Sequence, residues 1–115
     1  MKKFFKRLAK YVVAAYAKRM YRKAVSIAEK RHKEEKTMIY VISSFIDPSQ
    51  LVTCNRKEFR EVKNKLGLPK HPIEKLKAGS WYHTADGIER NGMKAIDKEA
   101  RRIAFIRMVI GRAKL

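Results

Sequence analysis

The chain has 115 residues, which suits one domain, and 45% of them are hydrophobic, enough to build a core. It carries 29 Lys and Arg against 11 Asp and Glu, a formal net charge of +18. A chain disordered throughout is excluded, because disorder requires low hydrophobicity as well as high charge. The charge favours a polyanionic partner, above all nucleic acid, because such binding releases condensed counterions.

The N-terminal segment is basic but is not typical of an exported or membrane-spanning protein. Its longest uncharged run, residues 11–17, has seven residues, whereas a bilayer span needs about 20 apolar residues. Lys6, Arg7 and Lys10 interrupt any apolar signal-peptide core. The single cysteine, Cys54, cannot form an internal disulfide, which favours a reducing compartment. We therefore expect an intracellular protein, cytoplasmic or within a nucleoprotein particle, that is not secreted and has no transmembrane segment.

Residues 1–36 are predicted to be an extension or assembly element, with one long basic amphipathic helix over residues 3–36. Residues 37–115 are predicted to form a small α+β core with the C-terminal helix. No Gly or Pro interrupts the long helix, and the first acidic residue is Glu29. At 1.5 Å per residue the helix would be about 50 Å long, so part of its apolar stripe should stay uncovered and support a homo-oligomer or a larger assembly. The stripe follows steps of three and four and consists of Phe5, Leu8, Val12, Val13, Tyr16, Ala17, Met20, Ala24, Ile27 and Ala28.

Two strands are predicted after this helix. Residues 37–45 are rich in β-branched and aromatic side chains. Both faces of this segment are apolar, so we expect it at the centre of a sheet, covered on both sides. Asp47-Pro48 signals a turn, and residues 51–54 predict the second strand.

A short helix over residues 56–66 has clear signals at both ends. Asn55 and Glu58 predict a variant of the capping box at its start. Gly67 supplies the left-handed residue that ends it. Its buried stripe should consist of Phe59, Val62 and Leu66.

The last part of the chain predicts a third strand over residues 80–85, a turn at Asp86-Gly87 and a basic helix over residues 93–114. The predicted fold class is therefore α+β. A long basic N-terminal helix and a basic C-terminal helix flank a small three-stranded sheet with its short capped helix.

No residue pattern predicts catalysis, a metal site or a cofactor. None of His32, His71 and His83 has a second His, Cys or acid at ligand spacing. His83 would be the acid–base group of a small metal-independent ribonuclease-like toxin; an ordinary surface or interface histidine is the plainer interpretation. Cys54 is either a thiol acidified by the helix that follows or, as we favour, a small buried hydrophobe. We expect that the protein is not an enzyme.

Charge is concentrated in the terminal helices. Residues 1–36 hold 13 basic and 3 acidic side chains, and residues 93–115 hold 7 and 2. No known DNA- or RNA-reading motif is present, so we predict binding of DNA or RNA through phosphates, independent of sequence. The alternative is a cationic helix lying on an anionic membrane surface. The predicted phosphate contacts are Lys3, Lys6, Arg7, Lys10, Lys18, Arg22, Lys94, Lys98, Arg101 and Arg102, and the candidate base-stacking residues are Tyr11, Trp81 and Tyr82.

Overall fold

The computed structural model describes residues 2–67, 79–85 and 93–113. In these ranges the elements are α1 (Lys2–Glu35), β1 (Tyr40–Ser43), β2 (Leu51–Cys54), α2 (Arg56–Leu66), β3 (Tyr82–His83) and α3 (Ala95–Arg112). This confirms the predicted α+β class. The expected Asp86-Gly87 turn lies outside the described residues.

Helix α1 is a single rod of 34 residues, as its uninterrupted pattern predicts. It ends because Lys36 takes the left-handed conformation, with φ of 54°. The Lys36 backbone N–H donates to the His32 carbonyl at 2.8 Å and closes the last turn. The molecule measures 54 × 33 × 21 Å along its principal axes. The longest dimension reflects the length of α1.

The sheet has the strand order β2-β1-β3, and both pairings are antiparallel. The first predicted strand is therefore central, as expected, although it is shorter than residues 37–45. Its C-terminal part enters the predicted turn, where the Gln50 N–H donates to the Asp47 carbonyl at 2.9 Å. The Ser49 N–H donates to Asp47 Oδ1 at 3.0 Å.

Each face of the central strand carries its own hydrophobic cluster, because side chains alternate along a strand. Ile39 and Val41 face a cluster formed mainly by α1 and α3, in which Tyr21 and Phe105 are the largest fully buried side chains. On the other face lies a smaller cluster that α2 covers through the partly buried Phe59; its buried members are Met38, Tyr40, Ile42 and Cys54.

Helix α2 confirms the predicted caps but not the predicted buried face. The Glu58 N–H donates to Asn55 Oδ1 at 2.8 Å, the Asn55 N–H donates to Glu58 Oε1 at 3.0 Å, and Gly67 is left-handed. Val62, however, is 41% exposed, whereas Lys63 is buried with its ammonium 5.4 Å from the Phe59 ring centroid. Phe59 and Lys63, four residues apart, share the inward face. The Leu66 side chain lies outside the described residues.

The apolar stripe of α1 divides into a covered and an uncovered part. Its second half, with Tyr21 and Val25 in addition to the predicted alanines, packs in the main core. In its first half Phe5 is 61% and Val12 59% exposed, and Leu8 and Tyr16 are exposed as well. Ile27, in the second half, is exposed as well. At 100° per residue, the exposed members of the predicted stripe lie on a different side of α1 from the buried ones. The helix therefore carries two apolar surfaces, one buried and one open, rather than the single stripe that we expected.

Candidate nucleic-acid interface

One side of α1 forms a cationic ridge, defined by Arg7, Tyr11, Lys18 and Arg22. Successive members are four, seven and four residues apart and so lie on one side of the helix. Arg7 and Arg22 are exposed, Lys18 is half-buried, and Tyr11 is 74% exposed. The ridge therefore carries three of the predicted phosphate contacts and one of the predicted stacking residues.

Lys6 and Lys10 are also exposed, but they lie on a neighbouring side of the helix. Lys10 comes seven residues before Ala17, so it continues the core-facing side of α1 beyond the core. The core-facing side of α1 is thus apolar and buried where the sheet and α3 cover it. In the N-terminal part of the helix, beyond the core, the same side is basic and exposed. The Lys3 side chain lies outside the described residues.

The four predicted residues on α3 and its N-cap divide into two pairs. Lys94 and Lys98 are exposed. Arg101 and Arg102 are half-buried and make contacts within the fold. Arg101 Nη1 donates to the Ser80 carbonyl at 2.6 Å, and Arg102 Nη2 pairs with the Glu99 carboxylate. Arg101 thus holds the segment before β3 against α3, a role that its charge alone does not predict.

The two helices meet at an α1–α3 cleft of about 300 Å³. The structure brings together here Arg22, Lys98 and Arg102, three predicted residues from distant parts of the sequence. Glu99 is the one carboxylate in the lining, so three cations against one anion leave an excess of positive charge. The cleft is lined by Tyr21, Arg22, Val25, Ser26, Lys98, Glu99 and Arg102.

The aromatic residues near β3 do not offer the open stacking surface that we expected. Tyr82 is buried, and its hydroxyl pairs with the Glu29 carboxylate. Trp81 is half-buried; its Nε1 donates to Ser43 Oγ at 2.8 Å and its ring meets the Phe105 ring edge-on at 5.4 Å. These contacts occupy both side chains within the fold, so Tyr11 is the exposed member of the three candidates.

Tyr21, which the predicted apolar stripe of α1 does not include, is fully buried in the main core. Its hydroxyl donates to the Trp81 carbonyl at 2.6 Å, and its ring lies 6.1 Å from that of Phe105. Burial raises the pKa of this phenol to about 12. Its spacing from Ala17 and Ala24 was the signal that could have identified it as a core residue.

Arg31 joins three elements and so belongs to the fold rather than to the open cationic surface. Its Nε donates to Glu35 at 2.7 Å, its Nη2 to Glu58 at 2.6 Å and its Nη1 to the Thr53 carbonyl at 3.1 Å. The hydrogen bond from Arg31 lowers the pKa of the Glu35 carboxyl. The four-residue spacing to Glu35 was the one local signal for this network.

The residues considered for chemistry are interior. Cys54 is buried, and burial raises the pKa of its thiol to about 12, so the acidified-thiol interpretation is wrong and the buried hydrophobe is confirmed. His83 is buried rather than at the surface, and its Nδ1 lies 3.1 Å from the Thr84 carbonyl oxygen. The part of the chain that the structure describes contains no group of three or more His, Cys, Asp or Glu side chains placed to hold a metal ion.

Among the described helices, none combines the length and the apolar character needed to cross a bilayer. No family model matches the chain, and neither the curated proteins nor the solved structures contain a significant match to it.

Proposed function

We propose that the protein binds DNA or RNA through phosphate contacts, without reading sequence, as a non-enzymatic structural component of a nucleoprotein assembly. The observation that supports this proposal is the cationic ridge of α1 together with the cations of α3 at the α1–α3 cleft. Arg22 belongs to both features, so a bound strand that contacts Lys18 and Arg22 would also reach the cations of α3.

The dimensions of the ridge suit a polyanion. Arg7 and Arg22 are 15 positions apart, which corresponds to about 22 Å along a helix. A DNA duplex carries one negative charge per about 1.7 Å of its axis. The ridge would therefore face a length of duplex that holds on the order of a dozen charges, enough for several simultaneous contacts.

The assembly part of the proposal depends on the open apolar residues of α1. Phe5, Leu8, Val12 and Tyr16 form a stripe of exposed hydrophobic side chains, and contiguous exposed apolar surface usually marks an interface. Two free chains of charge +18 repel each other. We therefore expect self-association through this stripe to be strengthened by bound nucleic acid, which neutralises that charge.

A titration of duplex DNA at several salt concentrations tests the binding proposal. With six to eight phosphate contacts, log K against log salt should have a slope of roughly −5 to −7. Replacing Lys6, Arg7 and Lys10 by Gln should make the slope less steep by about three units if all three contact phosphates. A slope near zero, or a strong preference for one sequence, would refute the proposal.

A matched control removes three charges elsewhere. Lys57, Arg60 and Lys65 of α2 are exposed and lie outside the predicted interface. Their replacement by Gln changes the net charge equally and should leave the slope within about half a unit of the original value. An equal effect of the two triple variants would show that net charge alone, and not the N-terminal part of α1, determines binding.

One observation favours a second candidate, binding to an anionic membrane surface. The exposed Phe5, Leu8 and Val12 lie beside Lys6 and Arg7, and such helices bury apolar residues below lipid head groups. Co-sedimentation with anionic and with zwitterionic vesicles, each with and without excess duplex DNA, separates the two. Under our proposal DNA removes the protein from anionic vesicles, and Leu8→Ser weakens self-association on DNA but leaves the affinity for a duplex too short to hold two copies unchanged. Vesicle binding that persists in excess DNA and is lost in Leu8→Ser would favour the membrane.

A further inference from the structure

We infer that the α1–α3 cleft is an anchoring site for one backbone phosphate of the bound nucleic acid. This inference rests on the proposed function and adds a specific place to it. The residues that would hold the phosphate oxygens are Arg22 and Ser26 of α1 and Lys98 and Arg102 of α3.

Residues with donor groups from both helices line one concave site. Arg22 and Ser26 are four residues apart and share one side of α1. Lys98 and Arg102 are likewise four residues apart on α3. Two adjacent pairs from two packed helices thus line a common volume of about 300 Å³.

One residue of the cleft lining, Arg102, has an unsatisfied donor. Arg102 Nε is buried and has no hydrogen-bond partner in the described structure. The same guanidinium uses Nη2 for Glu99, so the present arrangement leaves one donor of the group without an acceptor. A guanidinium has five N–H donors in a fixed fork, and a small shift toward an anion in the cleft would allow Arg102 to keep Glu99 and gain a second acceptor.

The position of Lys98 also supports a phosphate site in the cleft. Its ammonium lies 5.4 Å from the centroid of the Tyr82 ring, which holds the side chain near the cleft by a cation–π contact. An ammonium has three N–H donors, so a contact with one ring face leaves others that can donate to an anion.

The occupant is more simply a strand than a free phosphate compound. Arg22 is both the last residue of the cationic ridge and part of the cleft lining, so a strand that follows the ridge reaches the cleft without changing direction. A free phosphate would have no use for the remaining ridge residues.

Loss and gain of charge in the cleft test the inference. With a labelled single-stranded oligonucleotide and the full chain, Arg22→Gln combined with Lys98→Gln should weaken binding at least tenfold. The salt slope should become less steep by roughly 1.4 units, as two contacts to a single strand require.

Glu99→Gln removes the one carboxylate and should tighten binding at least twofold. The matched controls lie at exposed positions on α2. Lys57→Gln combined with Lys65→Gln, the control for the double variant, should change affinity less than threefold. Glu61→Gln, the control for Glu99→Gln, should change it less than 1.5-fold.

A second measurement uses inorganic phosphate alone. Its titration should shift the backbone amide NMR signals of Arg22, Ser26 and Lys98 saturably, and the shifts should vanish in the Arg22→Gln, Lys98→Gln variant. Unfolding curves of each variant show whether the fold is retained.

The possible outcomes distinguish failure of the anchoring site from failure of the proposed function. If the cleft variant and its control behave alike while the unmodified protein keeps a steep salt slope, the anchoring site is refuted and the proposed function stands. If phosphate shifts the cleft signals but the oligonucleotide affinity does not respond to the cleft variants, the occupant is a free phosphate compound and the assignment to a strand is wrong. If the unmodified protein shows no salt-dependent binding to nucleic acid, the proposed function fails, and the anchoring site fails with it.

Discussion

At Cys54 two effects of opposite sign act on the thiol, and burial is the stronger. The start of α2 and the neighbouring Arg56 and Lys57 should favour the thiolate. The side chain nevertheless lies in the smaller core cluster, where loss of water raises its pKa from 9.0 to about 12. The position of the sulfur relative to the core, which depends on tertiary packing, therefore decides its chemistry.

This pKa predicts a dependence of stability on pH. The folded chain keeps the thiol proton up to about pH 12, whereas the unfolded chain releases it near pH 9.0. The stabilisation is present below about pH 9 and is lost as the pH rises toward 12, because the unfolded state then binds fewer protons. By pH 10.5 the loss should be about 2 kcal/mol. Urea unfolding at pH 8 and at pH 10.5 measures it.

Other groups also titrate in that range, so the useful quantity is a difference between variants. The buried phenols of Tyr21 and Tyr82 have raised pKa values as well. Cys54→Ala keeps these contributions and removes the thiol, so the stability gap between the two proteins should narrow as the pH rises. A gap that stays constant from pH 8 to pH 10.5 would contradict the assignment to Cys54.

Residues whose partners are local in sequence were predictable, and those whose partners are distant were not. Arg31 and Glu35 are four residues apart, but the bonds of Arg31 to Thr53 and Glu58 span 22 and 27 residues. The hydroxyl of Tyr21 likewise finds its acceptor at Trp81, 60 residues away. No periodicity within one element indicates contacts of this kind.

Helix α2 also has features set by nearby residues, which were predictable, and features set by distant ones, which were not. Its ends follow from Asn55, Glu58 and Gly67, each of which acts on backbone groups within a few residues. Its buried face depends on how the helix meets the sheet. For this reason the predicted inward position of Val62 was wrong, and Lys63 lies there instead.

The end of α1 gives a prediction at the scale of the element. Lys36 is left-handed although it has a Cβ atom, and such a conformation costs about 1–2 kcal/mol for a residue other than Gly. Lys36→Gly should raise the free energy of unfolding by about 0.5–1 kcal/mol, since Gly removes the strain but loses more entropy on folding. Urea unfolding at neutral pH measures the change.

The control for this variant places the same substitution inside the helix. Lys33→Gly, three positions earlier in α1, should lower the free energy of unfolding by about 1 kcal/mol. Opposite signs at the two positions are expected. If Lys36→Gly also destabilised the protein, the left-handed conformation would not be the reason that α1 ends there.

At the scale of the whole molecule, α1 serves both the core and the surface beyond it. Removing residues 1–12 should change the free energy of unfolding by less than about 1 kcal/mol, because its apolar side chains Phe5, Leu8 and Val12 are exposed. The same truncation should weaken nucleic-acid binding and abolish self-association on DNA. Urea unfolding and sedimentation velocity, with and without duplex, measure these effects.

A substitution in the core provides the contrast. Phe105 is fully buried, so Phe105→Ala should cost about 3–5 kcal/mol. It should change binding only in proportion to the unfolded fraction. A truncated chain as unstable as Phe105→Ala would show that the first turns of α1 belong to the core after all.

The length of α1 was predictable at this scale because no Gly or Pro interrupts its sequence, whereas the class of partner stays a prediction from composition. The α1–α3 cleft was not predictable, since Arg22 and Lys98 are 76 positions apart and only the packing of the two helices brings them together. The basic side chains of the predicted interface could be selected because they are Lys or Arg. Which of them are exposed and which are paired within the fold could be seen only in the structure.

The dimensions of the molecule have a consequence for a fully coated duplex. A copy placed with α1, and so its 54 Å extent, along the axis would cover about 16 base pairs, which carry about 32 phosphate charges. Each copy has a charge of +18, so two rows of copies on opposite sides of the duplex would leave the polymer almost electrically neutral. Such a filament would lose the mutual repulsion that keeps naked duplexes apart, and neighbouring filaments could pack side by side into a dense, condensed phase.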